Sequence, residues 1–165
     1  MSFIPKNLLK PIDHWETPSC YITEICKFVT NKRILDPFYS QGRVKKVWEE
    51  LGFDITHVDG VNFFDLRTAD ITEDVIISNI PFSKKNQCIE RLFELGVPFM
   101  VLCPITTLAY VKTQRIIKKH KIQIIIPTNC IGFIDPTTGL QSRRAPFYLV
   151  WICYKINLQN DITYL

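Results

Sequence analysis

Short apolar runs alternate with segments of helical periodicity along most of this chain, and this alternation restricts the fold more than any other feature. The apolar runs that predict strands are residues 33–36, 54–58, 74–78, 97–103, 122–126 and 145–154. Apolar residues recur at helical spacing in segments 19–30, 44–51, 84–95 and 113–119. Ser19 is expected to cap the first helix. Strands that alternate with helices form a mostly parallel sheet with helices on both faces, so we predict an α/β fold.

Polar residues stand at the ends of the first three predicted strands. They are Asp36, Asp59 and Asn79. In open sheets of this type, ligands bind beyond the carboxyl ends of the strands, where the strand order changes direction. The sequence therefore predicts a ligand site where these residues meet.

The length of the chain limits how many domains it can form. Its 165 residues, 47% of them apolar, suffice for one α/β domain with a continuous core. We expect a single domain over residues 1–165, without a separate target-recognition domain. No apolar run reaches the roughly 20 residues that span a bilayer, and the first residues lack a signal-peptide pattern. These features predict a soluble, intracellular protein of the cytoplasm or nucleus, in a host cell if the protein is viral.

The cysteines are scattered, with no Cys-x-x-Cys pair and no histidine at ligand spacing. They are Cys20, Cys26, Cys88, Cys103, Cys130 and Cys153. We interpret them as reduced thiols of the core and expect no metal. Cys103 precedes Pro104, the reverse of the order that carbon-5 cytosine methylation requires, so that chemistry is disfavoured. Glycine loops that bind phosphates or dinucleotides are absent.

The formal net charge of +4 permits a polyanionic partner without requiring one. Basic residues occur in clusters, each of which could contact phosphates or simply face solvent. These clusters are Lys45–Lys46, Lys84–Lys85, residues 112–121 and Arg143–Arg144. A chain of this size has little surface for reading a base sequence, so sequence specificity would need a homodimer or a partner subunit.

The sequence SNIPFS, residues 78–83, directly follows a predicted strand. The exocyclic amine of adenine is a poor nucleophile, because its lone pair is delocalised into the ring. Two acceptors, the Asn79 side-chain oxygen and the Ile80 carbonyl, could hold both N–H groups and direct the lone pair at an electrophile. Pro81 restricts Ile80 to extended geometry, and Phe82 could stack on a flipped base. A β-turn followed by a core phenylalanine is the alternative.

Three segments resemble motifs of one enzyme family and occur in that family's order. SNIPFSKK resembles the (Asn/Asp/Ser)-Pro-Pro-(Tyr/Phe/Trp) signature of S-adenosylmethionine-dependent amino-group methyltransferases. DPFYSQGR, residues 36–43, resembles their Asp-Pro-Phe-x-Gly-x-Gly cofactor loop, and Thr17-Pro18 resembles an element of the adenine-N6 enzymes. The resemblance implies a Rossmann-like class I methyltransferase fold, with a mixed, mostly parallel seven-stranded sheet, and S-adenosyl-L-methionine as cofactor.

The same resemblance implies roles for individual residues. The implied catalytic residues are Asn79, Ile80, Pro81 and Phe82. The implied cofactor-binding residues are Thr17, Pro18, Asp36, Pro37, Phe38 and Gly42 around the methionine moiety, Asp59 at the ribose, and Asn62 with Phe63 beside the adenine. Asp65 competes with Asn62 for that last role.

Residues 142–147, SRRAPF, are similar to a segment of some viral and phage adenine methylases. Taken whole, the chain resembles the short methyltransferase-like proteins of large DNA viruses, phages and some protists. We expect Lys84, Lys85, Arg143 and Arg144 to contact nucleic acid.

Three positions depart from the family's pattern. Ser40 replaces the first glycine of the cofactor loop, Ile80 replaces the first proline of the signature, and Asn62 replaces a common aspartate. A backbone carbonyl survives any residue at position 80, so the chemistry is retained there. We predict methylation of the adenine N6 amine in nucleic acid, with DNA favoured over RNA. An RNA adenine methyltransferase and a catalytically silent nucleic-acid-binding subunit remain alternatives.

Overall fold

The computed structural model describes residues 13, 15–30, 32–38, 42–56, 62–128, 132–143 and 148–165. The described strands are β1 (Ile34–Leu35), β2 (Ile55–Thr56), β3 (Val75–Asn79), β4 (Phe99–Pro104), β5 (Ile122–Ile126), β6 (Leu149–Tyr154) and β7 (Ile162–Tyr164). The described α-helices are α1 (Ser19–Ile25), α2 (Arg43–Glu50), α3 (Lys85–Leu95) and α4 (Val111–Ile117). Short 3-10 segments cover Cys26–Phe28, Phe63–Asp65, Thr68–Asp70, Phe82–Lys84 and Ile105–Ala109.

The described strands form one seven-stranded sheet in the order β2-β1-β3-β4-β6-β5-β7. β6 is antiparallel to both of its neighbours, β4 and β5. All other neighbouring strands pair in parallel. The predicted mixed, mostly parallel sheet is therefore confirmed.

Both faces of the central strands β1, β3, β4 and β6 are buried, which explains why these strands are continuous apolar runs in the sequence. Successive side chains of a strand point to opposite faces. On β4, Met100 and Leu102 pack in one core cluster with residues of α1 and α2. Phe99 and Val101 pack in a second cluster with residues of α3. Helices therefore cover both faces, as predicted.

The predicted elements are present, but some of their limits differ. The expectation that Ser19 caps α1 is wrong, because Pro18 occupies the cap position and makes no side-chain hydrogen bond there. The helix predicted over 113–119 begins earlier, at Val111. β7 was not predicted, because three residues are too short for a visible pattern. Among the described residues, no helix is long and apolar enough to cross a membrane.

The described cysteines are all free thiols. Cys88, Cys103 and Cys153 are fully buried, as predicted for core thiols. Desolvation raises the pKa of Cys103 to about 12, which makes it a poor nucleophile at neutral pH. Burial likewise raises the pKa values of Cys88 and Cys153. Cys130 lies outside the described residues.

Candidate active site

The ends of β1 and β3 meet at the point where the strand order reverses. These strands are parallel neighbours, and β2 lies on the other side of β1. Such a reversal opens a crevice beyond the carboxyl ends of the strands, where α/β proteins bind ligands. Asp36 follows β1, and Asn79 is the last residue of β3. The hydroxyl of Ser78 donates to Asp36 Oδ1 over 2.5 Å, which joins the two strand ends directly.

Asp36 is a buried carboxylate, with only 3% of its surface exposed. Its Oδ1 also accepts a hydrogen bond from the backbone N–H of Phe38 over 3.1 Å. No described residue donates to Oδ2. Desolvation raises the pKa of Asp36 to about 6, against the opposing effects of the Ser78 and Phe38 hydrogen bonds. A cationic ligand group or an N–H donor at Oδ2 would offset this desolvation.

Asn79 carries a buried acceptor that the described protein does not satisfy. Its Oδ1 is shielded from solvent and receives no hydrogen bond from any described residue. Leaving such an atom unpaired costs about 1–3 kcal/mol, so native structures seldom do so without a reason. An N–H donor on a ligand at the end of β3 would satisfy it.

The two residues after Asn79, where the chain leaves β3, are both buried. Ile80 is buried in the core cluster beneath α3. Pro81 is also buried, with φ −59° and ψ 117°, and it precedes the 3-10 segment Phe82–Lys84. Phe82 is half-buried, and its ring meets Phe133 edge-on at 5.7 Å between centroids. Part of the Phe82 ring therefore packs against the protein, and part stays accessible.

Thr17 and Pro18 are both buried immediately before α1. The neighbouring Glu16 is only 4% exposed, and its carboxylate accepts a hydrogen bond from Arg43 Nε over 2.6 Å. Arg43 is the first residue of α2, directly after Gly42. Gly42 has φ +87°, a left-handed conformation that glycine adopts without strain. The ion pair thus ties the Thr17-Pro18 element to the end of the predicted cofactor loop.

Asn62 and Phe63 have structural roles in the described protein. The Asn62 side chain accepts a hydrogen bond from the backbone N–H of Phe64 over 3.2 Å and caps the segment Phe63–Asp65. Phe63 is fully buried, with its ring centroid 4.8 Å from that of Phe38. The Phe63 ring is therefore part of the core of the described protein, and its predicted place beside the cofactor's adenine stays a prediction. Phe38 and Phe64 are the half-buried rings beside it.

The predicted basic contacts flank Phe82 on two sides. Lys85 Nζ donates to the Phe82 carbonyl over 3.3 Å and lies 4.7 Å from the centre of the Tyr110 ring. Lys84 precedes it and is half-buried. Arg143 is exposed and follows Ser142, whose backbone N–H donates to the carbonyl of Phe133. The predicted residues Asp59 and Arg144, like Ser40, lie outside the described residues.

Sequence reasoning missed four residues that build this site. Ser78 and Arg43 belong to the SNIPFSKK and DPFYSQGR motifs. Ser78 lies near the end of a buried strand and Arg43 begins a helix, and these positions indicate contacts with neighbouring elements. Glu16 stood one residue before the Thr-Pro element. Phe133 gave no signal, because it meets Phe82 only through long-range folding.

Comparison with known proteins supports the fold. No protein-family model matches the sequence, and no curated protein is similar to it. The structure is similar to a candidate class I S-adenosylmethionine-dependent methyltransferase of Listeria monocytogenes, with a TM-score of 0.52 and 16% identity over 93% of this chain and 66% of that one. This chain thus spans just under two thirds of that protein. The fold is the Rossmann-like class I methyltransferase fold.

A second similar structure is a candidate methyltransferase of Thermoplasma acidophilum. Its TM-score is 0.40 at 10% identity, over 92% of this chain and 79% of that one. This TM-score is too low for the similarity to support the fold.

Proposed function

We propose that this protein transfers a methyl group from S-adenosyl-L-methionine to the N6 amine of adenine in DNA. The observation that carries the proposal is the unsatisfied, buried Oδ1 of Asn79 at the end of β3. The neighbouring strand β1 ends at the buried carboxylate of Asp36. An amine that must be oriented needs an acceptor at this position, and the described protein itself leaves that acceptor unused.

The residues around Asp36 fit this cofactor. S-adenosyl-L-methionine would supply the methyl group from a sulfonium centre, and its methionine moiety also carries an ammonium group. The buried carboxylate of Asp36, with no described donor at Oδ2, suits a positive charge or its N–H groups. Thr17 and Gly42, joined through the Glu16–Arg43 ion pair, would border the same moiety.

Asn79 and the residues after it would position the adenine. Asn79 Oδ1 would accept one N–H of the amine, and the Ile80 carbonyl would accept the other. The half-buried ring of Phe82 would stack on the base. When bound, S-adenosyl-L-methionine would supply the methyl group to this amine and would be left as a neutral thioether. The alkylated amine would be acidic and would lose its proton to water, so this chemistry would require no dedicated base.

Calorimetric titration with S-adenosyl-L-methionine and its demethylated product tests the cofactor half of the proposal. We expect both ligands to bind the wild type and to bind Asp36→Ala much more weakly. Asp36→Asn is the matched variant: it keeps one oxygen for Ser78 and Phe38, but it removes the charge and replaces Oδ2 with an N–H donor, so it should also weaken binding. Absence of binding by the wild type would exclude a stand-alone enzyme and leave the silent binding subunit.

Detection of N6-methyladenine after incubation with DNA and RNA tests the substrate half. Asn79→Ala should form product about 100- to 1,000-fold more slowly than the wild type, whereas Asn79→Asp should retain more activity, because a carboxylate still offers an acceptor. Product on RNA alone would replace the proposed DNA substrate. A wild type that binds cofactor but methylates neither polymer would refute the proposed reaction.

A further inference from the structure

Two exposed tyrosines flank the 3-10 segment Ile105–Ala109 that follows β4. Tyr110, the residue after this segment, is 46% exposed, and Tyr148 is 74% exposed. The backbone N–H of Ile105 donates to the Tyr148 carbonyl over 2.9 Å, so Tyr148 lies where the segment begins. Ile105 and Val111 are exposed as well. Residues 105–111 together with Tyr148 are called the β4 rim below.

The β4 rim adjoins the candidate active site. β4 is the neighbour of β3 in the sheet, and Leu102 pairs with Asn79. Lys85 contacts both regions, because its ammonium group binds the Phe82 carbonyl and lies over the Tyr110 ring. The Lys85 side chain therefore links the Tyr110 ring to the backbone of Phe82, the residue whose ring would stack on the target adenine.

The ionisable groups near Tyr110 include two lysines that form no salt bridge with a described carboxylate, although the Asp13 carboxylate accepts hydrogen bonds from Ser83 beside them. Lys112 and Glu90 form an ion pair at 3.1 Å and neutralise each other. Lys84 and Lys85 at the start of α3 have no carboxylate partner among the described residues at salt-bridge distance. A surface that combines accessible aromatic rings with lysines suits a nucleic-acid strand, since the bases stack on the rings and the phosphates meet the cations.

We propose that the β4 rim binds unpaired DNA next to the target adenine, so that the substrate is single-stranded. This inference rests on the proposed function. A duplex keeps its base faces stacked inside and offers a protein only base edges and phosphates, so it cannot use an exposed tyrosine ring as a stacking partner. An unpaired strand presents the base faces themselves. Its adenine also reaches the site without the unstacking and unpairing that extraction from a duplex requires.

Fluorescence anisotropy tests this surface with a labelled thymidine strand of about 12 nucleotides that contains one central adenine. The variants are Tyr148→Ala and Tyr110→Ala. Each should weaken binding of the single strand about 5- to 100-fold, the range expected for the loss of one stacked base. Tyr148→Phe and Tyr110→Phe keep the ring and should bind like the wild type. Ile162→Ala removes an exposed apolar side chain of β7, at the far edge of the sheet, and should also leave binding unchanged.

Several results would overturn the proposal. Equal affinity of the two alanine variants and the wild type would exclude stacking on the β4 rim. Wild-type affinity for the matched duplex equal to that for the single strand would exclude a single-stranded substrate, and tighter binding of the RNA version would exclude DNA. The wild type could instead bind no oligonucleotide and self-associate in sedimentation. If Tyr148→Ala abolished that self-association, the β4 rim would be a protein contact.

The failure of this inference is distinguishable from the failure of the proposed function. Ring-dependent binding of the single strand without N6-methyladenine formation would refute the reaction and support the rim. Methylation of duplex DNA at the same rate by wild type, Tyr110→Ala and Tyr148→Ala would support the reaction and refute the rim.

Discussion

The two strand ends of the candidate site differ in how their polar groups are satisfied. After β1, the Asp36 carboxylate is buried and already holds hydrogen bonds from Ser78 and Phe38. At the end of β3, Asn79 presents a buried oxygen that no described residue satisfies. The first arrangement is held together by the protein's own contacts, whereas the second leaves an acceptor that no described residue uses.

This difference predicts opposite responses to substitution. Substituting a group that the fold already uses should change stability: loss of the Ser78 hydrogen bond should lower it, and neutralising the buried Asp36 charge should raise it at neutral pH. Removing a group reserved for a ligand should cost activity and leave stability nearly unchanged, because an unpaired buried oxygen stabilises nothing. Each of the predictions below compares these two sides of the site.

The largest effect is expected for Asn79→Ala. Loss of a group that orients a reacting centre lowers kcat by about 100- to 1,000-fold in comparable cases. The melting temperature should stay the same or rise, since the substitution removes an unsatisfied buried oxygen. Product formation and thermal denaturation measured on one preparation check both parts. A clear loss of stability would show that the fold, rather than a ligand, uses Asn79.

The next largest effect concerns the pH dependence that Asp36 contributes to stability. Its folded pKa of about 6 lies above the ordinary value of 3.8, so the folded state binds the proton more tightly than the unfolded state. The contribution of Asp36 should therefore fall as pH rises from about 4 to about 6 and stay low above that. A pKa shift of this size changes the free energy of unfolding by about 3 kcal/mol at most.

Asp36→Asn isolates that contribution. The variant should approach or exceed the wild type in stability at pH 7 and lose this advantage near pH 4, because only the wild type changes charge between these values. Denaturant unfolding at several pH values measures the difference between the two proteins. A difference that does not vary with pH would mean that Asp36 keeps an ordinary pKa. Addition of a cationic ligand at Oδ2 should lower that pKa and flatten the dependence.

The sequence located both strand ends but not the contact between them. Asp36 and Asn79 were predictable, because each stands where an apolar run stops. The Ser78–Asp36 hydrogen bond depends on the register in which β3 pairs with β1, with Leu35 opposite Ile76, and no local pattern encodes that register. The alternation of strands and helices predicted a mostly parallel sheet covered on both faces, whereas the seven strands and the mixed strand directions followed from the family resemblance.

Aromatic residues show a different limit of sequence reasoning. Phe63 and Phe64 are adjacent in a 3-10 segment, where neither strand nor helix periodicity indicates which ring is inside. The structure buries Phe63 completely against Phe38 and leaves Phe64 half-buried. Tertiary packing decides which of the two rings is buried, so the sequence motif alone could not predict it.

Ser78→Ala should have an intermediate effect on stability. A hydrogen bond to a charged acceptor contributes about 1.5–3 kcal/mol, and the Ser78 hydroxyl opposes the raised pKa of Asp36. The destabilisation should be larger at pH 7 than at pH 5, because the hydroxyl stabilises the ionised carboxylate. A double-mutant cycle with Asp36→Asn measures the coupling. Additive effects of the two substitutions would show that the hydroxyl and the carboxylate do not interact.

The smallest effect is expected for Arg43→Ala, which leaves the buried carboxylate of Glu16 without its cation. Half of the Arg43 side chain is exposed, so water screens the pair and the loss of stability should be about 1–2 kcal/mol, below that of a fully buried pair. Glu16→Gln combined with Arg43→Ala should recover part of this loss, because a neutral amide is less costly to bury than an unpaired charge.

Denaturant unfolding measures the stability, and calorimetry measures cofactor affinity. Since the pair ties the Thr17-Pro18 element to the loop that ends at Gly42, affinity for S-adenosyl-L-methionine should fall with stability, whereas Asn79→Ala should leave that affinity intact. Unchanged cofactor affinity in Arg43→Ala would place the ion pair outside the cofactor side of the site.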